Sequence, residues 1–527
     1  MQIEIKDSMR IRPKIDVLGY GPSLDLGNEG ILTPDQVIAF AAKMTYKDKT
    51  AKEMALEMLN SGEDIIKETG KSLRAVKRGH ASISTSAALW VLVSGTSKFI
   101  DSGFTGAVYS SSLMPSGRRI PPTLENIVVP GGIMDASDET KAIYIDSSSE
   151  NLIFYNDLIT SKSPIKKEDA AKITQYGIAG SGFMLIPLET LLGYKKEFQN
   201  NVNWVPGECN DVVRIIEGKL ISKGMSQLYE NRSAAPRNTL AYPSIFKNPY
   251  KESIINYFER SYGIPNKPTI IVNKFYENTA FKKDMIKLNK LRKEITTDPE
   301  TVKSHWRTLL DARYDIISRY NGILSFESFS NPSWRVWGEV KRHRTVGQNV
   351  ESIYRAVERA RKTFGRYEQR IRSGDLDDSL LKDVSRVVVI PDWFFKENEL
   401  LKKYLFRFAD SLDAYGKLTR EVPESDAIAV VPRGIRLMVY KELDLHNIFE
   451  GYIPLRLCGT AENEMRTNTE EETGKMKEIL PSYVARNIGP KCASVGFCME
   501  EKPCGKIKEY IRYNYSTDVH RDIFNMI

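Results

Sequence analysis

An α+β fold built twice in tandem is what this sequence predicts. Three observations carry it: a length beyond one ordinary core, self-similarity at a constant offset of 236 residues, and motifs between Glu339 and Arg466 from which the class of each unit is taken. A chain of 527 residues is expected to split into two or more structural units. With 41% hydrophobic and 27% charged residues it has the composition of a soluble globular protein. No run of about 18 apolar residues occurs, which argues against a membrane span. The N-terminal stretch MQIEIKDSMRIRPKID lacks the apolar core of a signal peptide. Five cysteines make no disulfide framework, so a reducing, cytoplasmic setting is expected. The net charge of +8 suits a protein that handles phosphorylated small molecules as well as one that touches nucleic acid. No platform of interleaved aromatics and arginines supports the nucleic-acid reading, which therefore rests on charge alone.

The elements follow in order. TPDQVIAFAAKM sets Thr33 at a helix N-cap with Gln36 three residues on, ahead of apolar residues at helical spacing. TAKEMALEMLNSGEDIIKETGKSLRAV continues as helix, with a break near Ser61-Gly62. ISTSAALWVLVSGTSKF is β-branched and aromatic enough for a buried strand or a buried helix. Gly131-Gly132 and the polar run Asp146–Glu150 read as loop. MIKLNKLRKEITTDP, residues 285–299, reads as a charged, exposed helix that ends before Pro299 and as a linker between units. The expected division is thus residues 1–283, 284–485 and a cysteine-bearing tail, 486–527.

At the offset of 236, Trp90 falls on Phe326, Ser94 on Ser330, Ser97 on Ser333 and Ser116 on Ser352. Serine is common, so each match is weak by itself; the shared register gives them weight. Arg342-His343-Arg344 falls on Gly106-Ala107-Val108, where the two halves differ.

Arg342-His343-Arg344, seven residues and Ser352 resemble the signature of the flavin-dependent thymidylate synthases. Leu455-Arg456, four residues and Ala461-Glu462-Asn463-Glu464-Met465-Arg466 are similar to a second segment of that family, with Glu462 where it has glutamine. Ala427–Pro432 resembles its ARxxLP segment with Ile428 at the arginine, Tyr354 stands where an arginine follows the signature serine, and Glu339 stands where a glutamine precedes the signature. In the first half, Gly79-His80-Ala81-Ser82, Ser116-Gly117-Arg118-Arg119 and Asn231–Pro236 resemble other pieces of the same motifs.

The resemblance implies two tandem units, each a small antiparallel sheet with surrounding helices. It implies a methyltransferase that reductively methylates dUMP to dTMP, with methylenetetrahydrofolate as carbon donor, FAD as redox relay and NADPH as reductant. Family members are usually homotetramers, so a homodimer of this chain would form a pseudo-tetramer. By the same resemblance Ser352, Ser116 and Arg456 act at the pyrimidine, Arg342, His343, Arg344 and His80 meet the flavin, and Glu339, Arg118, Arg232 and Arg355 bind substrate. From the residues alone, arginine is the side chain for bidentate contacts to phosphate or a uracil edge, and no GxGxxG after a strand supports a Rossmann grip. Trp334 and Trp337 read as core. The departures at Ile428, Glu462, Tyr354 and Glu339 leave a non-catalytic flavin- or nucleotide-binding homologue as the alternative. Cys492, Cys498 and Cys504, at six-residue steps, form a zinc candidate with Cys458 or His520 as fourth ligand.

Overall fold

Residues 88–97, ALWVLVSGTS, bury Leu89, Val91 and Val93 and turn Trp90 and Leu92 outward. A period of two is that of a strand, which decides between the two readings of this run. The computed structural model describes residues 4–78, 81–116, 120–161, 164–234 and 243–526. It forms two compact units. The first holds the chain up to Pro249 together with Ser352–Val357 and Glu397–Arg433; the second holds Tyr250–Glu351, Glu358–Lys396 and Gly434–Ile527.

In the first unit β1 (Lys14–Gly21), β2 (Ala88–Ser97), β3 (Ser111–Leu113) and β4 (Ala179–Pro187) make an antiparallel sheet in the order β1-β2-β4-β3. Helix α1 (Pro34–Met44) carries the expected capping box, with the Thr33 N–H donating to Gln36 Oε1 at 2.8 Å. Helix α2 (Asp138–Thr160) runs straight through Asp146–Glu150, which the sequence reading took for loop. Ser147, Ser148 and Ser149 are buried there, and Asn151 Nδ2 donates to Ser411 Oγ at 2.8 Å, on the helix Asn398–Leu418. Small polar side chains sealed between two helices have the composition of a loop without being one. Gly131–Met134 is likewise a single helical turn.

In the second unit β5 (Thr269–Phe275), β6 (Leu324–Ser330), β7 (Gly347–Val350) and β8 (Val439–Asp444) repeat the pattern in the order β5-β6-β8-β7, again antiparallel. Each unit is therefore a small antiparallel sheet with surrounding helices, an α+β arrangement. The expected linker is not one. Helix α4 (Thr279–Ile295) buries Phe281, Met285, Leu288 and Ile295 at helical spacing, and with α5 (Pro299–Tyr320) it belongs to the core of the second unit. The unit boundary lies at Pro249/Tyr250, and the cysteine tail is part of the second unit.

The two sheets correspond residue by residue. Pro187 closes β4 and pairs with Ala88; Asp444 closes β8 and pairs with Ser325. Inside the second strand the offset is thus 237, one more than the sequence reading used, so Leu89 and not Trp90 matches Phe326, and Val93 and not Ser94 matches Ser330. A β-bulge between Val93 and Thr96 absorbs the extra residue. Beyond it the offset is 236, and Ser97 meets Ser333 as expected. Both serines do the same work. Ser97 donates its N–H to Glu208 at 2.7 Å and its hydroxyl to the same carboxyl; Ser333 donates N–H and hydroxyl to Glu464, both at 2.7 Å. The acids open α3 (Gly207–Leu220) and the long helix that follows Glu462.

Among the described residues no helix is long and apolar enough to cross a membrane. All five cysteines are free thiols.

Glu208 is buried, and burial, ahead of the opposing hydrogen bonds from Ser97, pushes its carboxyl up to about 7 from an ordinary 4.5. The folded chain then holds a proton that the unfolded chain releases, so stability contributed here is full below about pH 4.5 and is lost as pH rises through 7. Glu208→Gln should flatten that part of the pH dependence of the urea midpoint; a slope identical to wild type would refute it.

Candidate active site

The segment 333–346 is shaped by its anchors. Helix α6 (Trp334–Val340) is capped by Ser333, which accepts from the Val336 N–H at 3.2 Å, and is pinned by the fully buried Trp334 and Trp337. Lys341 is wholly buried and sets its ammonium 4.9 Å from the centre of the Trp337 indole. The chain then turns: His343 N–H donates to the Val340 carbonyl and Val346 N–H to the His343 carbonyl, both at 3.0 Å. Gln348, on β7, donates its amide to the Val340 carbonyl at 3.1 Å. This turn leaves Arg342 exposed and His343 and Arg344 half-buried.

Helix α7 (Tyr452–Arg456) brings the other part. Arg456 Nε donates to His343 Nε2 at 2.7 Å, and Arg456 Nη1 donates to Glu339 Oε2 at 2.8 Å. Arginine and histidine are 113 residues apart in sequence. A ring nitrogen that accepts from a guanidinium must carry its lone pair, so His343 is neutral with its proton on Nδ1. Burial, then the charges of Arg456 and Lys441, hold its pKa down to about 3. The Tyr452 ring meets the imidazole edge to face, with ring centres 5.0 Å apart and planes at 86°.

Behind this trio lies a buried polar cluster. Lys441 on β8 pairs with Glu472 of α8 (Asn463–Ile479) and donates to the Tyr452 hydroxyl at 3.2 Å, while Ser328 on β6 donates to Glu472 Oε1 at 2.9 Å. A neutral imidazole, a guanidinium steered by a carboxylate and two flanking arginines suit a planar ligand with carbonyl and phosphate groups.

The structure thus brings together Glu339, His343 and Arg456 from the sequence-derived set, with Arg342 and Arg344 on the same turn. It treats the others differently. Ser352 is fully buried, groups with the first unit, and donates its hydroxyl to the Lys247 carbonyl at 2.7 Å. That proton is committed to the backbone, which corrects the reading of Ser352 as a hydroxyl turned to a pyrimidine. Arg355, half-buried on the following helix, also groups with the first unit. Arg232 is 1% exposed and clasps Glu189 through Nε at 2.6 Å and Nη2 at 3.0 Å, and the Ser84 hydroxyl donates to the same carboxylate. The counterpart of Ala427–Pro432 in the first half is Ala170–Gln175, since each runs from a four-residue helix into a 3-10 turn; Ala171 and the buried Ile428 share one place, and neither half keeps an arginine there. Glu462 caps the following helix by accepting from the Met465 N–H at 3.1 Å, with Arg335 Nε 3.9 Å from its other carboxylate oxygen. Ser116 lines a cavity of about 240 Å³ in the first unit with Lys98, Asp101, Asn126 and Ser181. His80 and Arg118 lie outside the described residues.

The zinc expectation is not met as drawn: among the described residues no group of three or more His, Cys, Asp or Glu side chains is placed to hold a metal ion. His520 is engaged on both ring nitrogens, with the Tyr515 hydroxyl at 3.0 Å and the Glu501 carbonyl at 3.1 Å. Burial, with the nearby sulfurs of Cys498, Cys458 and Cys504, pushes the Cys492 thiol up to about 12.

Sequence reasoning missed Lys441, Glu472, Ser328 and Tyr452. The signal was present: in VYKELD, Lys441 falls on the inward face between Val439 and Leu443, and Glu472 falls on the buried stripe of α8 with Met465, Thr469 and Met476.

Residues 328–482 match the family model described as thymidylate synthase complementing protein. The flavin-dependent thymidylate synthase of Pyrococcus horikoshii is 31% identical over 133 residues, 24% of this chain and 54% of that protein. That of Pyrococcus abyssi is 28% identical over 125 residues, 23% of this chain and 51% of that protein. The chain spans about half the length of these relatives. Among solved structures, the flavin-dependent thymidylate synthase ThyX from Helicobacter pylori, complexed with FAD and dUMP, aligns over 42% of this chain and 99% of that one at 14% identity and a TM-score of 0.27. The UMP/dUMP methylase PolB from Streptomyces cacaoi, bound with 5-Br UMP, aligns over 42% of this chain and 96% of that one at 13% identity and a TM-score of 0.25. The matched segment is of the thymidylate synthase complementing class. Through it residues 328–482 are similar to the flavin-dependent thymidylate synthases.

Two outcomes follow. Arg232→Ala leaves the Glu189 carboxylate with the Ser84 hydroxyl but no cation and should cost about 3–5 kcal/mol of stability; thermal or urea unfolding checks this, and a loss below about 1 kcal/mol would contradict a structural ion pair. In the native chain Cys504, exposed, should alkylate with iodoacetamide well before Cys492; mass spectrometry of a time course reads the order, and Cys492 reacting first would overturn it.

Proposed function

We propose that this chain is a flavin-dependent thymidylate synthase that reductively methylates dUMP to dTMP, using methylenetetrahydrofolate, FAD and NADPH. The observation that carries the reading is the Glu339–Arg456–His343 cluster. It joins two motif blocks of the matched segment, and it supplies fixed charge beside a neutral imidazole. This donor set fits a flavin and a nucleotide: both carry phosphate oxygens for Arg342 and Arg344, and both carry ring carbonyls for a guanidinium or an imidazole N–H. When bound, FAD supplies the redox relay. The residues of the chain bind and orient. Glu339 holds the Arg456 guanidinium in register, Arg456 stabilises negative charge that develops on a uracil ring, and His343 donates from Nδ1.

The matching sheet order and the twin Ser–Glu contacts support a tandem duplication, in which the first unit has lost the charged set. A homodimer of such a chain would count as a pseudo-tetramer.

A second reading, a flavin- or nucleotide-binding homologue without catalysis, is favoured by the committed Ser352 hydroxyl and the buried Ile428.

Purified chain should bind FAD, show dUMP-dependent reoxidation of the reduced flavin, and form labelled dTMP. Arg456→Ala should lower that turnover by about 100-fold or more while FAD stays bound. FAD binding without any dTMP selects the second reading; folded protein that takes up no FAD defeats both.

A further inference from the structure

The two sheets provide a comparison inside one molecule. Three residues before Asp444 on β8 is Lys441, and its neighbours across the sheet are Ser328 on β6 and Gln348 on β7. Three residues before Pro187 on β4 is Met184, and its neighbours are Val91 on β2 and Ser112 on β3. Eight residues beyond Glu464 is Glu472; eight beyond its counterpart Glu208 is Ile216. The buried set Ser328, Lys441 and Glu472 of one unit is therefore Val91, Met184 and Ile216 in the other, and all six are 2% exposed or less.

The turn that holds His343 has a counterpart too: Ser110 N–H donates to the Ala107 carbonyl as Val346 N–H does to that of His343. Alanine stands in place of the histidine. Counted from either side, the place of Arg456 falls on Gln199 or Asn200. The unit without the histidine and the arginine is the unit whose residues at these three matching places are apolar.

A sealed ion pair is a poor way to stabilise a fold, because apolar residues of similar size do as well or better. The first unit shows that this sheet accepts them. Lysine and glutamate are found where His343 and Arg456 are found, and they reach that site. Lys441 donates to the Tyr452 hydroxyl at 3.2 Å and sits 4.9 Å from the centre of the Tyr452 ring, which in turn stands edge-on against His343. Gln348, in the same cross-strand row, ties down the start of the His343 turn through the Val340 carbonyl.

We propose that Lys441 and Glu472, with Ser328 and Tyr452, are positioning residues that hold the His343 imidazole against Arg456 in one tautomer, and that they serve the ligand site and not the stability of the sheet. The proposal deepens the flavin and nucleotide reading and rests on it for its purpose, though its geometry stands apart from any ligand. The charges that act on His343 are Arg456 on α7 and Lys441 on β8; Glu339 on α6 pairs with the first, Glu472 on α8 with the second, and Arg342 and Arg344 flank the ring on its own turn. Withdrawing the Lys441 ammonium removes one of the positive charges that keep the ring neutral.

The test uses the full chain without ligand, labelled with ¹⁵N-histidine; His343→Gln assigns the signal among the five histidines. In wild type, His343 should show one tautomer, protonated at Nδ1 and hydrogen-bonded at Nε2, with no titration at neutral pH. The triple variant Ser328→Val, Lys441→Met, Glu472→Ile copies the first unit and should melt no lower than wild type. Its His343 should give a mixture of tautomers and a titration midpoint raised by about one unit. Tyr452→Phe, which cuts the hydrogen bond from Lys441 and keeps the ring, should move the same signals in the same direction by less, and it decides the matter if the triple variant does not fold. Unchanged His343 signals in the folded variants would overturn the proposal, as would a triple variant that folds but melts far below wild type. FAD binding is measured in parallel: wild type that binds no FAD defeats the functional reading and leaves the histidine result to stand on its own.

Discussion

The contact between Ser333 and Glu464 sets the geometry from which the rest of the second unit follows. One carboxylate receives both the N–H and the hydroxyl of a serine just beyond the end of β6, and so locks the start of α6 to the first turn of α8. Charge-assisted bonds of this kind are short and directional. With those two helix starts fixed, α6 must deliver the turn at His343 and the segment before α8 must deliver Arg456. The same contact recurs at Ser97 and Glu208, where, among the described residues, Ala107 takes the place of His343 and no arginine takes that of Arg456. The joint belongs to the fold, and the site is what the second unit adds to it.

What it adds is expensive by the ordinary measures of protein interiors. An imidazole held neutral beside a guanidinium, and a lysine sealed with a glutamate, are groups whose charged forms lose hydration on burial. The first unit shows the cheaper solution to the same packing problem, with Val91, Met184 and Ile216 at the matching places. Three matching places of one design, apolar in one unit and polar in the other, separate what the sheet needs from what the site needs.

The fold was legible where the physics is local. Period-two alternation at β2 and the capping box at Thr33 can be read from neighbouring residues, because strand pleat and helix start are decided within a few positions. Reading failed where burial reverses the meaning of composition. The serines of α2 have loop chemistry, yet they lie sealed between two helices. The charged residues of α4 have linker chemistry, yet they share a helix with Phe281, Met285 and Leu288. The repeat is one residue out of register in β2 because a bulge inserts a residue there, and its mark in the sequence is Gly95, whose φ is +66°.

For the site, the sequence by itself determined the residue types and their spacing: Arg342-His343-Arg344 on one segment, Arg456 on another, and Glu339 before them. Only the tertiary structure decided which of these meet. It joined Arg456 to His343 and Glu339, closed Arg232 on Glu189, and turned Ser352 to a backbone carbonyl. It also revealed Lys441 and Glu472 behind the site. The reason is physical: a charge or a hydroxyl has no fixed role until its partners and its solvent exposure are set, and both are properties of residues brought together from distant parts of the chain.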